Sequence, residues 1–271
     1  MELDSFSYFR KGAANAVFRY WGNDPQLTDK VLRLRLAGQQ YKTQEIYEYM
    51  HHFSALERWI VPTRLVELKP ESIRKLERDD LKLEPDTHGL LMDNVFKDSD
   101  CRVIVLNKHI ILNLGARRLL ELKPKWLEPV SDRKCRNCAH LTLNGERFIV
   151  CPLQLLTTDG IHKWSEAVEQ AVRDRGFSYL SIENAVQANI LLFQTLASEQ
   201  ARCPNVHQKL IALESEADVD DQLCETMTLR DVTIFIDLDS SKALLCDLDR
   251  KSPRKWQKWR DREIALSKLM Q

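Results

Sequence analysis

The chain has 271 residues, and its forty Lys and Arg are balanced by forty Asp and Glu, so the formal net charge is zero. With 44% hydrophobic and 30% charged residues the composition is globular, which excludes a disordered, fibrous or simple polybasic nucleic-acid-binding chain. Eight glycines are too few for a glycine-rich cofactor scaffold, and the length suffices for one large domain or two small ones.

Residues 6–36 read as strands. Strict alternation over 31–36 (Val-Leu-Arg-Leu-Arg-Leu) predicts a half-buried strand with a basic face, preceded by a turn at Gly22-Asn23-Asp24-Pro25. A helix carrying aromatic residues is expected over 41–59, an extended segment over 61–68, and a short charged helix over 71–79. Loop then strand follows over 82–96. Short apolar runs over 103–123 predict further strands. The most apolar of them, 103–114, is broken by Asn107, Lys108, His109 and Asn113. A membrane span needs ~20 apolar residues, so none is expected. The acidic start lacks the basic region of a signal peptide.

Residues 126–131 read as a loop. A helix over 164–175 ends at Gly176, and two more are expected over 181–200 and 205–225. Strands at 230–236 and 243–248 flank a turn near Asp239. Ser252 is placed as a helix cap, with Pro253 at the first helical position of a basic helix. This order is α+β, without regular βαβ alternation.

Phosphate-loop, Rossmann, zincin and α/β-hydrolase motifs are absent. Glu121-Leu122-Lys123-Pro124-Lys125 closes an expected strand, whose alternation puts Glu121, Lys123 and Lys125 on one face. Two ammonium groups there could hold phosphates. Taken alone, a solvated strand end is the favoured reading. Glu67-Leu68-Lys69-Pro70 repeats four of the letters, and Glu71 follows. Asp231 precedes an apolar strand, and Asp247 and Asp249 follow the hairpin. Carboxylates at strand ends near lysines suit Mg²⁺, which prefers hard oxygen ligands; singly, each is also a charged turn. Lys251, Lys255 and Trp259 recur every four residues and could grip a polyanion. The run 214–225 is acidic and expected to be solvated. Cys135, Cys138, His140 and Cys151 could hold zinc, but the second ligand pair is incomplete. Seven cysteines without a framework favour reduced thiols, with Cys151 in a core strand.

In their order along the chain these features resemble the inositol-pentakisphosphate 2-kinases, the fungal branch most closely. The resemblance is carried by Gly12-Ala13-Ala14-Asn15, Lys30-Val31-Leu32-Arg33, Leu91-Met92-Asp93-Asn94, Glu121 to Lys125, Cys135 to Cys138, Cys151-Pro152-Leu153, Leu229-Arg230-Asp231, and Asp247-Leu248-Asp249 with Lys251, Lys255 and Trp259. It implies a two-lobed fold distantly related to protein kinases. Residues 1–100 are then a nucleotide-binding lobe and 101–271 an inositol-phosphate-binding lobe. The implied reaction moves a phosphoryl group from ATP, with Mg²⁺, to the 2-hydroxyl of inositol 1,3,4,5,6-pentakisphosphate, giving the hexakisphosphate.

By the same resemblance Lys123 and Asp231 are catalytic. Gly12, Asn15, Arg33, Asp93 and Asp247 belong to the nucleotide site, Asp231 and Asp247 to Mg²⁺, and Lys125, Lys251, Lys255 and Trp259 to the inositol phosphate. Arg10 and Lys11 depart from the family's Gly-Glu-Gly loop, which leaves open a non-catalytic polyanion-binding pseudokinase, or a kinase for another inositol phosphate. A monomer inside the cell, in nucleus or cytoplasm, is expected, with no membrane and no nucleic-acid partner.

Overall fold

Antiparallel pairing of the alternating segments builds the first sheet. Strands β1 (Phe6–Lys11), β2 (Asn15–Tyr20), β3 (Lys30–Arg35), β4 (Thr63–Glu67) and β5 (His88–Asp93) lie in the order β1-β2-β3-β5-β4. Across β2 and β3, Asn15 faces Arg35 and Val17 faces Arg33. The pleat therefore puts Ala16, Phe18, Leu32 and Leu34 on the opposite side. There they join Leu3, Phe6, Ile73, Leu81 and Leu91 in the core. Two helices, α1 (Thr43–Met50) and α2 (Pro70–Arg74), accompany this sheet.

The basic face expected on β3 is not solvated, because Arg33 and Arg35 are both buried. β3 is the central strand, paired on both edges, and Arg35 Nη1 donates to Asn15 Oδ1 at 3.1 Å. The single helix expected over 41–59 is also corrected. α1 stops at Met50, and a 3-10 turn covers Ser54–Trp59 after non-helical Phe53, whose ring is buried. α2 is shorter than the expected 71–79.

The structure describes residues 3–96, 101–128, 135–177 and 180–270. They divide into two compact units, Met1–Ser99 and Asp100–Gln271. In the second unit β6 (Arg102–Asn107), β7 (Ile110–Leu114), β8 (Arg118–Leu122), β9 (Thr233–Asp237) and β10 (Ala243–Cys246) form an antiparallel sheet in the order β10-β9-β8-β7-β6. Every residue of β9 is buried. Helices α3 (Arg136–Leu143), α4 (Thr158–Arg173), α5 (Glu183–Gln187), α6 (Ile190–Gln200), α7 (Val206–Ile211), α8 (Asp221–Leu229) and α9 (Trp256–Met270) complete the unit. Gly176 follows α4 with φ +83°, a left-handed turn that glycine adopts without steric cost.

Two helices expected to be continuous are broken. Asn189 leaves helical geometry between α5 and α6, and its amide donates to Ala185 O and Ser241 O, both at 2.8 Å. The 205–225 segment divides because Asp218 is tied to Ser215 and because Asp220 caps α8, accepting from Leu223 N at 2.7 Å. Of the loop expected over 126–131, residues 129–131 lie outside the described residues. The architecture is α+β with two antiparallel sheets, and no helix is long and apolar enough to cross a membrane among the described residues.

Candidate functional site

β8 ends at Leu122, where Lys123 N donates to His109 O at 2.8 Å. The chain then turns through Lys125, which has φ +60°. Strand alternation therefore does not reach Lys125, and the common face expected for Glu121, Lys123 and Lys125 is corrected. Lys123 Nζ stays 3.9 Å from Glu121 Oε1. Lys125 instead enters a cavity of about 250 Å³.

Asp231, Lys251, Lys255 and Trp259 line the same cavity. Asp231 lies in the turn between α8 and β9. Lys251 precedes the Ser252 cap, whose hydroxyl accepts from Arg254 N at 3.3 Å, and Lys255 closes the 3-10 turn before α9. The four-residue spacing thus brings three side chains to one place without a continuous helix. Beneath them Trp126, Cys203, Val206, Leu210, Leu213 and Leu223 form an apolar cluster, against which Trp259 packs.

Each Asp231 oxygen meets a different ammonium group. Lys125 Nζ donates to Oδ1 and Lys251 Nζ to Oδ2, both at 2.5 Å. Partial burial raises the Asp231 pKa, but the Lys251 and Lys125 charges outweigh it and hold the carboxyl well below the usual carboxylate range. Burial lowers the Lys125 pKa in spite of that partner. Lys255 and Lys258, also on the lining, make no ion pair among the described residues.

Of the other lining residues, only His140 had a functional reading in the sequence, as a candidate zinc ligand. Trp126 is buried beside two guanidinium groups, with Arg136 Cζ 3.9 Å and Arg230 Cζ 4.2 Å from its ring centroid. Arg136 Nε donates to both oxygens of Glu263 on α9, at 2.8 and 2.9 Å, and His207 Nδ1 lies 2.6 Å from Oε1 of the same carboxylate. Arg230 Nη2 donates to Glu128 at 2.9 Å. The His109 and His140 rings stack 6.3 Å apart and also face the cavity. Burial, then the Lys125 charge, pushes the His109 imidazole down to about 3.

Asp247 does not line this cavity. It is exposed, with φ +67°, and its Oδ2 accepts from the Thr233 hydroxyl at 2.6 Å. Cys246 pairs with Thr233 across β10 and β9, so Asp247 sits at the Asp231 end of that hairpin. The exposed carboxylate suits a hard cation. In the first unit, Gly12 N donates to Asn15 O at 2.8 Å and closes the β1–β2 hairpin. Asp93 is paired with Lys30 across β5 and β3. Arg10 stacks over Phe96 with Cζ 4.3 Å from the ring centroid, and Lys11 donates to Asp80 O at 2.8 Å.

The sulfurs of Cys135, Cys138 and Cys151 lie within 4.8 Å of one another, a spacing that could hold a thiophilic metal such as zinc. His140 is outside this group, and Cys151 caps the 3-10 turn Pro152–Leu156 rather than sitting in a core strand. The neighbouring Cys138 and Cys151 thiols hold the Cys135 thiol below its ordinary range.

Residues 8–194 match the family model described as inositol-pentakisphosphate 2-kinase. The Debaryomyces hansenii protein named inositol-pentakisphosphate 2-kinase is 25% identical over 344 aligned positions, covering 97% of this chain and 91% of that protein. The Saccharomyces cerevisiae protein of the same name is 28% identical, covering 74% of this chain and 73% of its own. The Kluyveromyces lactis protein of that name is 30% identical over 63% of this chain.

Proposed function

The chain belongs to the inositol-pentakisphosphate 2-kinase family, and on that premise we propose that it transfers the γ-phosphoryl group of ATP to the 2-hydroxyl of inositol 1,3,4,5,6-pentakisphosphate, forming the hexakisphosphate. The observation that carries this reading is the composition of the cavity. Among the described residues, Lys125, Arg136, Arg230, Lys251, Lys255 and Lys258 surround a single lining carboxylate, Asp231. Such a lining suits a ligand with several phosphates and one hydroxyl to be activated.

Phosphoryl transfer depends on positioning and charge neutralisation more than on covalent help. Lys255 and Lys258 receive substrate phosphates first, because among the described residues they have no carboxylate to surrender. Trp259 supports the ring from the apolar cluster. Asp231 orients the 2-hydroxyl and accepts its proton, and Lys123 steadies charge on the transferred group. Mg²⁺ bound with the nucleotide supplies charge neutralisation at the phosphates. Asp247, with its exposed carboxylate, fits the role of protein ligand better than Asp231, both of whose oxygens are engaged.

In the same reading the first unit is the nucleotide lobe of a kinase-like fold. Gly12, Asn15, Arg33 and Asp93 belong to its nucleotide site, and the second unit binds the inositol phosphate. The three neighbouring thiols would hold a structural zinc at the start of α3, the helix that carries Arg136, Asn137 and His140 to the cavity. Incubating the protein with ATP, Mg²⁺ and inositol pentakisphosphate tests the activity. Appearance of the hexakisphosphate is the expected result, and binding without turnover would support the non-catalytic alternative instead.

A further inference from the structure

The cavity holds an internal substitute for a phosphate. Asp231 offers two oxygens, and each takes one ammonium group of the pair Lys125 and Lys251, which come from chain segments on either side of it. Lys125 and Lys251 are 20% and 14% exposed, so neither has a full water shell to fall back on. The carboxylate is more open, at 47%. An arriving phosphate can therefore approach from the side of Asp231. It brings oxygen acceptors and more negative charge than a carboxylate.

We propose that Asp231 is the resident counter-anion of the empty site, and that phosphate groups of the ligand displace it from Lys125 and Lys251. This makes it a specificity-determining residue as well as the residue that meets the hydroxyl. The inference rests on the inositol-phosphate reading given above and deepens it.

Two consequences follow from the exchange. Every ligand must first break two short ion pairs within a partly desolvated site, so ligands with few phosphates fall below useful affinity while a densely phosphorylated ring does not. The carboxylate is also withheld until the substrate arrives. With both oxygens occupied it accepts no proton from water or from an unrelated hydroxyl. Once the lysines have moved to phosphate, its oxygens are free beside the ring. Lys255 and Lys258, which have no such partner among the described residues, make the first contact and hold the ligand while the exchange takes place.

The test compares the full-length protein with Asp231→Asn, which keeps the side-chain shape and leaves the lysines without their counter-anion. Affinity is measured calorimetrically without nucleotide, for inositol pentakisphosphate and separately for inorganic tripolyphosphate, and circular dichroism checks the fold. A structure of the wild-type protein with the pentakisphosphate completes the comparison. The exchange predicts that Asp231→Asn binds both ligands about tenfold more tightly, of the order expected for relieving a charged pair of this kind. It also predicts that both lysine nitrogens in the complex lie beyond the reach of a salt bridge to Asp231, about 4 Å, and contact phosphate oxygens. Equal or weaker affinity in the variant overturns it. So do ion pairs that survive in the complex, or a failure of both polyphosphates to bind. If tripolyphosphate shows the gain and the pentakisphosphate does not bind at all, the exchange stands and the proposed substrate falls.

Discussion

Arg136 and Glu263 meet in a bidentate pair from which water is excluded. The Glu263 side chain has no exposure and that of Arg136 is 9% exposed. The pair joins α3 to α9, and the Arg136 guanidinium also covers one face of Trp126. Glu263→Ala leaves a buried cation without its acceptor. Losses of ~3–5 kcal/mol are usual for breaking such a pair from one side. The unfolding midpoint in urea should fall accordingly. A double variant, Arg136→Met with Glu263→Leu, should recover much of that loss, because no charge then remains unpaired.

Asp231→Asn and Lys255→Ala should separate chemistry from binding. Loss of a general base typically costs ~10²–10⁴ in rate. Single-turnover experiments at saturating substrate should show that loss for Asp231→Asn. Lys255→Ala should instead raise KM with a small effect on kcat, and the penalty should shrink with added salt, because an exposed cation is screened. Normal turnover by Asp231→Asn would remove this residue from the mechanism.

Asp247→Asn keeps the hydrogen bond from Thr233 possible and removes the charge offered to a cation. Turnover should fall sharply at ordinary Mg²⁺ concentrations and recover in part when Mg²⁺ is raised. Affinity for inositol pentakisphosphate should be nearly unchanged, since Asp247 lies outside the cavity. Activity close to wild type at low Mg²⁺ would refute the assignment.

The thiol group predicts one zinc per chain, retained through gel filtration and measured by elemental analysis. Cys138→Ser should reduce zinc retention and lower thermal stability. Protein prepared in the presence of zinc, yet free of it and with all thiols reactive, would show the cysteines to be ordinary.

His109 predicts an acid limit to stability. Its folded pKa is pushed down to about 3, against an ordinary value of 6.5. Between those values the unfolded chain binds more protons than the folded one. The His109 contribution is therefore unfavourable as pH falls through this window, at up to ~1.4 kcal/mol per pH unit. His109→Gln should flatten the fall of the melting temperature between pH 6 and pH 4 (roughly the middle of that window). An unchanged slope would show that other groups set the acid limit.

Much of the fold was legible because strands and caps are local. Alternation located β3, an apolar run before a turn located β9, and the Ser252-Pro253 pair marked the approach to α9. The burial of Arg33 and Arg35 was not legible, since alternation separates two faces but does not say whether both are covered. Helix breaks at Asn189 and Asp220 depend on side-chain bonds that compete with helix continuation. At the candidate site, Lys125, Asp231, Lys251, Lys255 and Trp259 were expected for the inositol phosphate or the reaction, and the structure brings them to one cavity. Arg136 was hidden within the cysteine spacing. Its meaning depends on Trp126 and on Glu263, and no local pattern reports contacts of that length.

The link between Arg136 and Glu263 spans 127 positions of the chain, and so bears on the time course of folding. Contacts across long separations carry a large loop-closure cost and tend to slow folding. Before α9 docks, Arg136 lacks its Glu263 partner, and Lys258 and Trp259, which α9 carries, are not yet at the cavity. Nascent or refolding chains should therefore acquire the sheet of the second unit and the ability to bind polyphosphate as separate events. A stopped-flow record of tryptophan emission, set beside ligand capture, would resolve the interval between them.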